Sequence, residues 1–132
     1  MLNKRMNNKK LGELIDKISS QVDGQPGFWR FIYNGHELMC ITDERADRMR
    51  IMTPVEAVAE MKGDQLYACM AANFDRALDA RYCIDEDYLW SAFIHPLGSL
   101  SPELFASAVE QVVGAKVNFG GDYSSGALYF GG

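Results

Sequence analysis

The sequence predicts an α+β domain with an antiparallel sheet of about five strands and three main helices. Three observations support this prediction. Apolar residues recur at helical spacing near the start of the chain, three consecutive strand patterns follow with short turns between them, and a second strand pair precedes the last helix. The predicted order is therefore helix, three strands, helix, two strands, helix.

Length and composition are typical of a single globular domain. The chain has 132 residues, of which 48% are hydrophobic and 11% aromatic, and this permits a core of its own. The formal net charge of −5 argues against a surface that neutralises phosphates, so nucleic acid is not an expected partner. No stretch approaches the ~20 apolar residues of a membrane span, and we expect a cytoplasmic protein without a membrane partner.

The cysteines and histidines predict neither a metal site nor a cofactor. Cys40, Cys69 and Cys83 lie far apart, each within an apolar segment, which is typical of buried, reduced thiols in a cytoplasm. His36 and His95 lack ligand spacing with any of these thiols.

We divide the chain into a basic N-terminal arm (residues 1–10), one α+β domain (11–119) and a glycine-rich C-terminal tail (120–132). The arm holds four basic residues and no acid, and it is either an exposed terminus or a contact for nucleic acid. The tail can be a frayed end, a sixth short strand or a segment that docks on a neighbouring subunit. Local docking is favoured because a free Leu-Tyr-Phe run would promote aggregation.

The first helix is predicted over Lys9–Val22, followed by a loop over residues 24–27. Its apolar residues recur at steps of three and four and form one stripe: Leu11, Leu14, Ile15, Ile18 and Val22.

Three strands are predicted next, over Phe28–Tyr33, Glu37–Thr42 and Arg48–Thr53. Asn34-Gly35 suits a two-residue hairpin turn between the first two. In the third, Met49 and Ile51 share one face.

The second helix region is predicted to start at Thr53-Pro54-Val55-Glu56, because threonine can cap, proline suits the first position and glutamate completes a capping box. A longer helix is expected after Asp64. Its stripe predicts that Met70 and Phe74 are buried, and that Phe74→Ala costs about 3–5 kcal/mol if that burial is complete.

Two further strands, Ala80–Ile84 and Tyr88–His95, are predicted across the turn Asp85-Glu86-Asp87. Neither face of the second strand carries a carboxylate or a lysine, which suggests that helices cover one face and a partner the other. Ser101-Pro102-Glu103 then starts the last helix.

No catalytic constellation is predicted. The acidic triplet 85–87 is typical of a solvated turn, and it lacks the spacing of a calcium loop. Ser91 and His95 share a strand face but lie about 13 Å apart along the strand. The glycines and serines at 120–126 lack the lysine and the following helix of a phosphate-binding loop.

Two segments carry a resemblance to a known fold: ANFDRALDARYCID (72–85) and LWSAFIHPLGSLSPELF (89–105). With the element order, they resemble the type III secretion chaperone-like fold, which includes the Tir chaperone (CesT) family and the YbjN-like proteins. The resemblance extends over roughly Leu11 to Phe119. It implies a small acidic cytoplasmic protein, commonly dimeric, that binds peptide segments of a client through apolar surface and has neither enzymatic activity nor a cofactor.

On this basis we expect a homodimeric module that binds a protein or peptide client. A client surface is predicted on the first helix and the three-strand meander, at Leu14, Ile18, Phe31, Met39, Ile41 and Ile51. The subunit contact, or the core beneath it, is predicted at Phe74, Tyr82, Trp90 and Phe93.

Two alternatives remain open at this point. One is a small regulatory or ligand-binding domain, with a hydrolytic enzyme that uses His95 as a less favoured form. The other is a regulator whose basic arm contacts nucleic acid.

Overall fold

A computed structural model describes residues 5–126. It has an α+β fold with a six-stranded antiparallel sheet in the order β1-β2-β3-β4-β6-β5, as predicted except for one additional strand. Its elements are α1 (Asn8–Ile18), β1 (Gln21–Gln25), β2 (Phe28–Tyr33), β3 (His36–Asp43), β4 (Arg48–Ala57), a 3₁₀ turn (Val58–Glu60), α2 (Gln65–Asp75), β5 (Arg81–Asp85), β6 (Tyr88–His95) and α3 (Pro102–Val117).

The chain divides into two compact units. The first combines the described residues of Met1–Ile51 with Ile94–Ala106, and the second combines Met52–Phe93 with the described residues of Ser107–Gly132. Each unit is described by itself below.

The additional strand arises because α1 is shorter than predicted. The helix ends at Ile18, and Ser19 has an extended backbone (φ −97°, ψ 140°). Val22, predicted on the helical stripe, therefore lies in β1 and pairs opposite Phe31 in β2. The predicted loop over residues 24–27 is instead a hairpin in which Pro26 and Gly27 form a two-residue connection.

Helix α1 begins at Asn8, one residue before the predicted start at Lys9, and it runs across the predicted boundary between arm and domain at residue 11. Asn7 caps the helix by accepting a hydrogen bond from the Lys10 N–H (2.9 Å). Met6 is buried, with 6% of its surface exposed, and its N–H donates to the Gly98 carbonyl (3.1 Å). Residues 6–10 are consequently part of the folded first unit and not an exposed arm.

The meander of the first unit is formed as the sequence indicates. Asn34 and Gly35 have φ values of 49° and 82° and connect β2 to β3, since both residues tolerate a left-handed backbone. In β4, Met49 and Ile51 are buried, whereas Arg48 and Arg50 are exposed. Period-two alternation therefore assigns one face of these strands to the core.

The predicted helix start at residues 53–56 is wrong, because β4 continues through Pro54 to Ala57. Val55 packs against a buried cluster of the second unit that includes Cys69, Tyr82 and Leu89. We attribute the difference to this burial: a capping box is worth only about 1 kcal/mol, less than burying a valine.

Helix α2 is placed correctly by the sequence, but the predicted burial of Met70 and Phe74 is wrong. Their side chains are 63% and 91% exposed. The buried residues of α2 are Cys69 and Ala72, which belong to the same cluster as Tyr82 and Leu89. Small side chains let the helix approach β5 closely, so the large ones point outward.

The C-terminal region beyond α3 is also folded, up to the last described residue. Ser124 and Ser125 are buried, and the Ser125 hydroxyl accepts a hydrogen bond from the Leu78 N–H (2.7 Å). The Asn118 side chain donates to the Ser124 carbonyl (2.9 Å). Ser124 and Ser125 therefore pack locally, while the apolar run Ala127–Phe130, on which the predicted docking of the tail depends, lies outside the described residues.

Candidate functional site

The side chains that could form a serine–histidine pair are not brought together. Ser91 is buried and its hydroxyl donates to the Val112 carbonyl (2.9 Å). His95 Nδ1 lies 2.8 Å from the Pro96 carbonyl oxygen. Each group has a backbone partner, and the geometry joins neither to the other.

Of the acidic triplet, Asp85 ends β5 and pairs with Tyr88, and Glu86 and Asp87 form the hairpin turn to β6. Glu86 has φ 56°, as expected in a tight turn, and all three residues are exposed. The Asp87 carbonyl accepts a hydrogen bond from the Val58 N–H (2.8 Å). Within residues 5–126, no group of three or more His, Cys, Asp or Glu side chains is arranged to hold a metal ion.

Within residues 5–126, none of the three cysteines forms a disulfide bond. Burial raises the pKa of Cys40 to about 12 and that of Cys69 to about 11, so both stay protonated and unreactive at neutral pH. Cys83 is half-buried, and its Sγ lies 3.7 Å from the Arg81 carbonyl. No helix in the described part of the chain is long and apolar enough to cross a membrane.

The predicted client residues do not form one surface. Phe31 and Ile51 are buried, at 1% and 0% exposure, because they occupy the core-facing positions of β2 and β4. These two residues are corrected from client surface to core.

The other four predicted client residues lie on opposite faces of the meander. Leu14 and Ile18 are half-buried on α1. This helix packs on the face of the meander that carries Trp29, because a Cβ atom added at Gly12 would lie 3.6 Å from the Trp29 ring. Met39 and Ile41 occupy the other face, as they alternate with the buried Cys40.

We name this other face the open face of the first unit. Phe28 lies directly opposite Ile41, and Arg30 opposite Met39, so all four side chains share it. Phe28 and Ile41 are 42% and 37% exposed, and the Arg30 guanidinium lies over the Phe28 ring at 5.8 Å from its centroid. The open face therefore presents apolar surface flanked by charge.

Two shallow depressions lie in the first unit. One, of about 430 Å³, is lined by residues of β1, β2 and β3: Gln21, Val22, Asp23, Arg30, Phe31, Ile32 and Glu37. The second, of about 260 Å³, is lined by Ile41, Thr42, Asp43, Arg48, Met49, Arg50 and Ile94. Beside the first depression, β1 has one neighbour in the sheet among residues 5–126 and is exposed along its length, so within this part of the chain it offers an open strand edge.

The second unit exposes a different apolar surface. Helix α2 presents Leu66, Tyr67, Met70 and Phe74, with exposures of 42%, 77%, 63% and 91%. Steps of three and four residues place them along one side of the helix. We name this group the α2 stripe. Isolated exposed apolar residues are ordinary, whereas a contiguous group of this size is typical of an interaction site.

The remaining residues predicted at the subunit contact, Tyr82, Trp90 and Phe93, are buried or half-buried. Tyr82 and Phe93 are buried, at 5% and 3% exposure, and thus belong to the core. Trp90 is half-buried on the opposite side of its strand, and its indole Nε1 is buried without a hydrogen-bond partner among the described residues.

Tyr82 is held by a network that also fixes α2 against β5. Its hydroxyl donates to the Ala115 carbonyl (2.6 Å), and burial raises its pKa well above the usual range. The Asn73 side chain donates to the Tyr82 carbonyl (2.9 Å) and accepts from its N–H (2.8 Å). Asn73 thereby occupies part of the free edge of β5, next to Phe74 in the α2 stripe.

Sequence reasoning missed Phe28, Leu66 and Tyr67 as surface residues. Phe28 could be recognised by its alternation with Trp29, once the hairpin register is known. For α2 the available signal was weak, because Cys69 and Ala72 are as apolar as the residues that point outward, and periodicity cannot orient a helix that is apolar on several sides.

The fold can be compared with known proteins. No family model matches the chain, and no curated protein sequence matches it either. Several solved structures match it in fold. The Yersinia pestis type III secretion chaperone SycH, in complex with a stable fragment of YscM2, matches with a TM-score of 0.64 at 14% identity, and the match covers 85% of this chain and 98% of that chain.

The HopA1–SchA chaperone–effector complex matches with a TM-score of 0.60 at 14% identity, covering 83% of this chain and 91% of that one. The ExsC–ExsE complex matches with a TM-score of 0.59 at 12% identity, covering 82% and 90%. These likenesses extend over nearly the whole of each matched chain, and the chain described here therefore has the fold of the type III secretion chaperones.

Proposed function

We propose that this chain is a non-enzymatic, cytoplasmic, homodimeric module that binds a segment of a client protein through apolar surface. The observation that carries the proposal is the presence of large apolar side chains, such as Phe74 and Ile41, that are exposed on α2 and on the open face. The shared fold supports the same class of function, because SycH and SchA are described as chaperones in complex with other proteins. The likeness to CesT and YbjN proteins remains part of this proposal.

The client would be bound by the first unit. Its open edge at β1 can pair with an extended segment through main-chain hydrogen bonds, as in β-strand addition. Apolar side chains on either face of the meander, Leu14 and Ile18 on one and Met39 and Ile41 on the other, would then contact alternate side chains of the client.

The α2 stripe would form the contact between two copies of the chain. Phe74, Tyr67 and Met70 are more than half exposed, which is unfavourable for a monomer at high concentration. A two-fold contact uses the same patch on both copies, so burying the stripe against its counterpart covers both at once.

Site-specific photo-crosslinking tests the client surface. A photoreactive phenylalanine analogue replaces Ile41 or Ile18 in the chain while it is expressed in its native cell. The control carries the analogue at Val117, an exposed apolar residue on α3. We expect one protein to crosslink from Ile41 and Ile18 but not from Val117, and its purified segment to bind the isolated chain. Equal crosslinking from all three positions would contradict the proposal.

Sedimentation equilibrium tests the subunit contact. Substituting Phe74→Asp with Met70→Asp introduces two charges into the stripe, so we expect a dimer to become a monomer with a circular dichroism spectrum that is unchanged. Val117→Asp is the control and should remain dimeric. A wild-type chain that is monomeric at about 10 μM would refute the dimer.

A further inference from the structure

The smaller depression on the open face combines apolar and basic side chains. Ile41 is 37% exposed and Ile94 is 51% exposed, and together with Arg48 and Arg50 they line a volume of about 260 Å³. Ile41 lies on the exposed side of β3, and Arg48 and Arg50 on the exposed side of β4. Neither arginine is among the residues proposed above to contact a client or a second subunit.

The two guanidinium groups are available for a partner. Arg48 and Arg50 are separated by one residue on the same strand, so their Cα atoms lie about 6.6 Å apart and both side chains point to the same face. Both residues are exposed. In the described part of the chain neither is joined to a carboxylate by an ion pair.

One nearby acid contributes negative charge to the depression. Asp43 also lines it, and its Oδ1 accepts the Ala46 N–H in the β3–β4 turn (3.0 Å), so the lining contains two guanidinium groups and one carboxylate. Asp23 lies opposite Arg30, across the β1–β2 pairing, in the other depression. A positive pair beside aliphatic side chains is thus a local feature of a chain whose net charge is −5.

We propose that this depression binds an extended client segment that carries carboxylate side chains two residues apart. The inference rests on the proposed function, since it specifies the chemistry of the client that the first unit takes. Arg48 and Arg50 would each donate to a carboxylate, and Ile41 and Ile94 would contact the methylene groups of the same acidic side chains. Such charge-assisted hydrogen bonds give the contact its preference for an acidic partner. They are bidentate where two N–H groups of one guanidinium donate to both oxygens of a carboxylate.

The spacing of the arginines matches a segment in the extended conformation. Alternate residues of a strand lie about 6.6 Å apart and point to the same side, and this is the separation of Arg48 and Arg50. A client with carboxylates two residues apart can therefore meet both guanidinium groups while it is in an extended conformation.

Fluorescence anisotropy with three labelled nine-residue peptides tests this inference. Their sequences are Gly-Ser-Glu-Leu-Glu-Leu-Glu-Ser-Gly and the two counterparts in which lysine or glutamine replaces each glutamate. We expect the glutamate peptide to bind about fivefold more tightly than the glutamine peptide, and the lysine peptide to bind more weakly than both. The preference should shrink between about 20 mM and about 300 mM salt.

Two double variants with the same change of net charge locate the binding. Arg48→Gln with Arg50→Gln should weaken binding of the glutamate peptide about fivefold and remove its advantage over the glutamine peptide. Arg45→Gln with Lys62→Gln changes two exposed residues outside the depression and should leave both affinities unchanged.

Three results would overturn the inference: equal affinity for all three peptides, equal effects of the two double variants, or no binding of the glutamate peptide up to about 1 mM. Crosslinking of a client at Ile41 together with any of these results would leave the proposed function standing and reject only the acidic preference. If no client crosslinks but the glutamate peptide binds in a way that depends on Arg48 and Arg50, the proposed client-binding function is rejected. The depression would then remain a binding site for acidic peptides.

Discussion

Gln111 is a buried polar residue, 4% exposed, that satisfies two backbone groups before β5. Its Oε1 accepts from the N–H groups of Asp79 (2.7 Å) and Ala80 (3.0 Å), and its Nε2 donates to Ser107 Oγ (3.0 Å). Every polar atom of this side chain has a partner, so its burial stabilises the path of the chain between α2 and β5.

We expect Gln111→Leu to lower the free energy of unfolding by about 2–3 kcal/mol, because it leaves two N–H groups without an acceptor. Gln65→Leu is the control: Gln65 accepts one hydrogen bond from the exposed Lys62 N–H, where water can replace it, so the change should stay below about 1 kcal/mol. Urea denaturation measures both. Equal losses in the two variants would show that the hydrogen bonds of Gln111 do not stabilise the fold more than the exposed hydrogen bond of Gln65.

Phe74 and Phe31 differ in burial although both are phenylalanines, and this decides what each contributes. Phe74→Ala removes a ring that is 91% exposed, so the free energy of unfolding of the monomer should change by less than about 0.5 kcal/mol. Phe31→Ala removes a fully buried ring and should cost about 3–5 kcal/mol. Denaturation under conditions in which both variants are monomeric compares them, and similar losses would contradict the outward orientation of Phe74.

At the scale of elements, the hairpin of β1 and β2 shows how backbone geometry creates a strand that composition does not favour. Gly24 has φ 119°, and a Cβ there would lie 2.2 Å from the Phe28 carbonyl oxygen. Only glycine accommodates this contact, so the register of β1 against β2 depends on that position.

We therefore expect Gly24→Ala to unpair β1 and to accelerate amide exchange over Gln21–Gln25, with a loss of about 1–3 kcal/mol in the free energy of unfolding. Gly27→Ala is the matched comparison. Gly27 also has a positive φ, 105°, but a Cβ there meets no atom within 4 Å, so its loss should be smaller. Faster exchange confined to the Gly27 variant would contradict the assignment of the contact.

At the scale of the whole molecule, buried thiol and phenol groups make the stability of the fold decrease at alkaline pH. The pKa values of Cys40 and Cys69 rise from 9.0 to about 12 and about 11, and burial also raises that of Tyr82. Above pH 9 the unfolded chain loses the thiol protons while the folded chain keeps them. Fewer protons are then bound in the unfolded state, and stability falls as pH rises.

Below about pH 8.5 these groups keep their protons in both the folded and the unfolded chain, so we expect their titration not to change the free energy of unfolding there. Between about pH 9 and pH 11 the free energy of unfolding should fall progressively. Cys40→Ala should lower stability at neutral pH, because it leaves a small cavity, yet reduce the slope above pH 9. Urea denaturation at several pH values measures both effects. The same slope in the wild type and in the variant would show that Cys40 does not titrate as proposed.

The sequence by itself determined the fold class, the Asn34-Gly35 hairpin, the buried face of Met49 and Ile51 and the order of the main elements. Each of these depends on local patterns: alternation, turn dipeptides and helical spacing. Tertiary structure alone decided that β4 runs through Pro54, that Val22 belongs to a strand, and that Phe74 faces outward while Cys69 and Ala72 face inward. In these cases several local conformations differ by only about 1 kcal/mol, and packing against distant residues, such as that of Val55 against the cluster containing Tyr82 and Leu89, outweighs that difference.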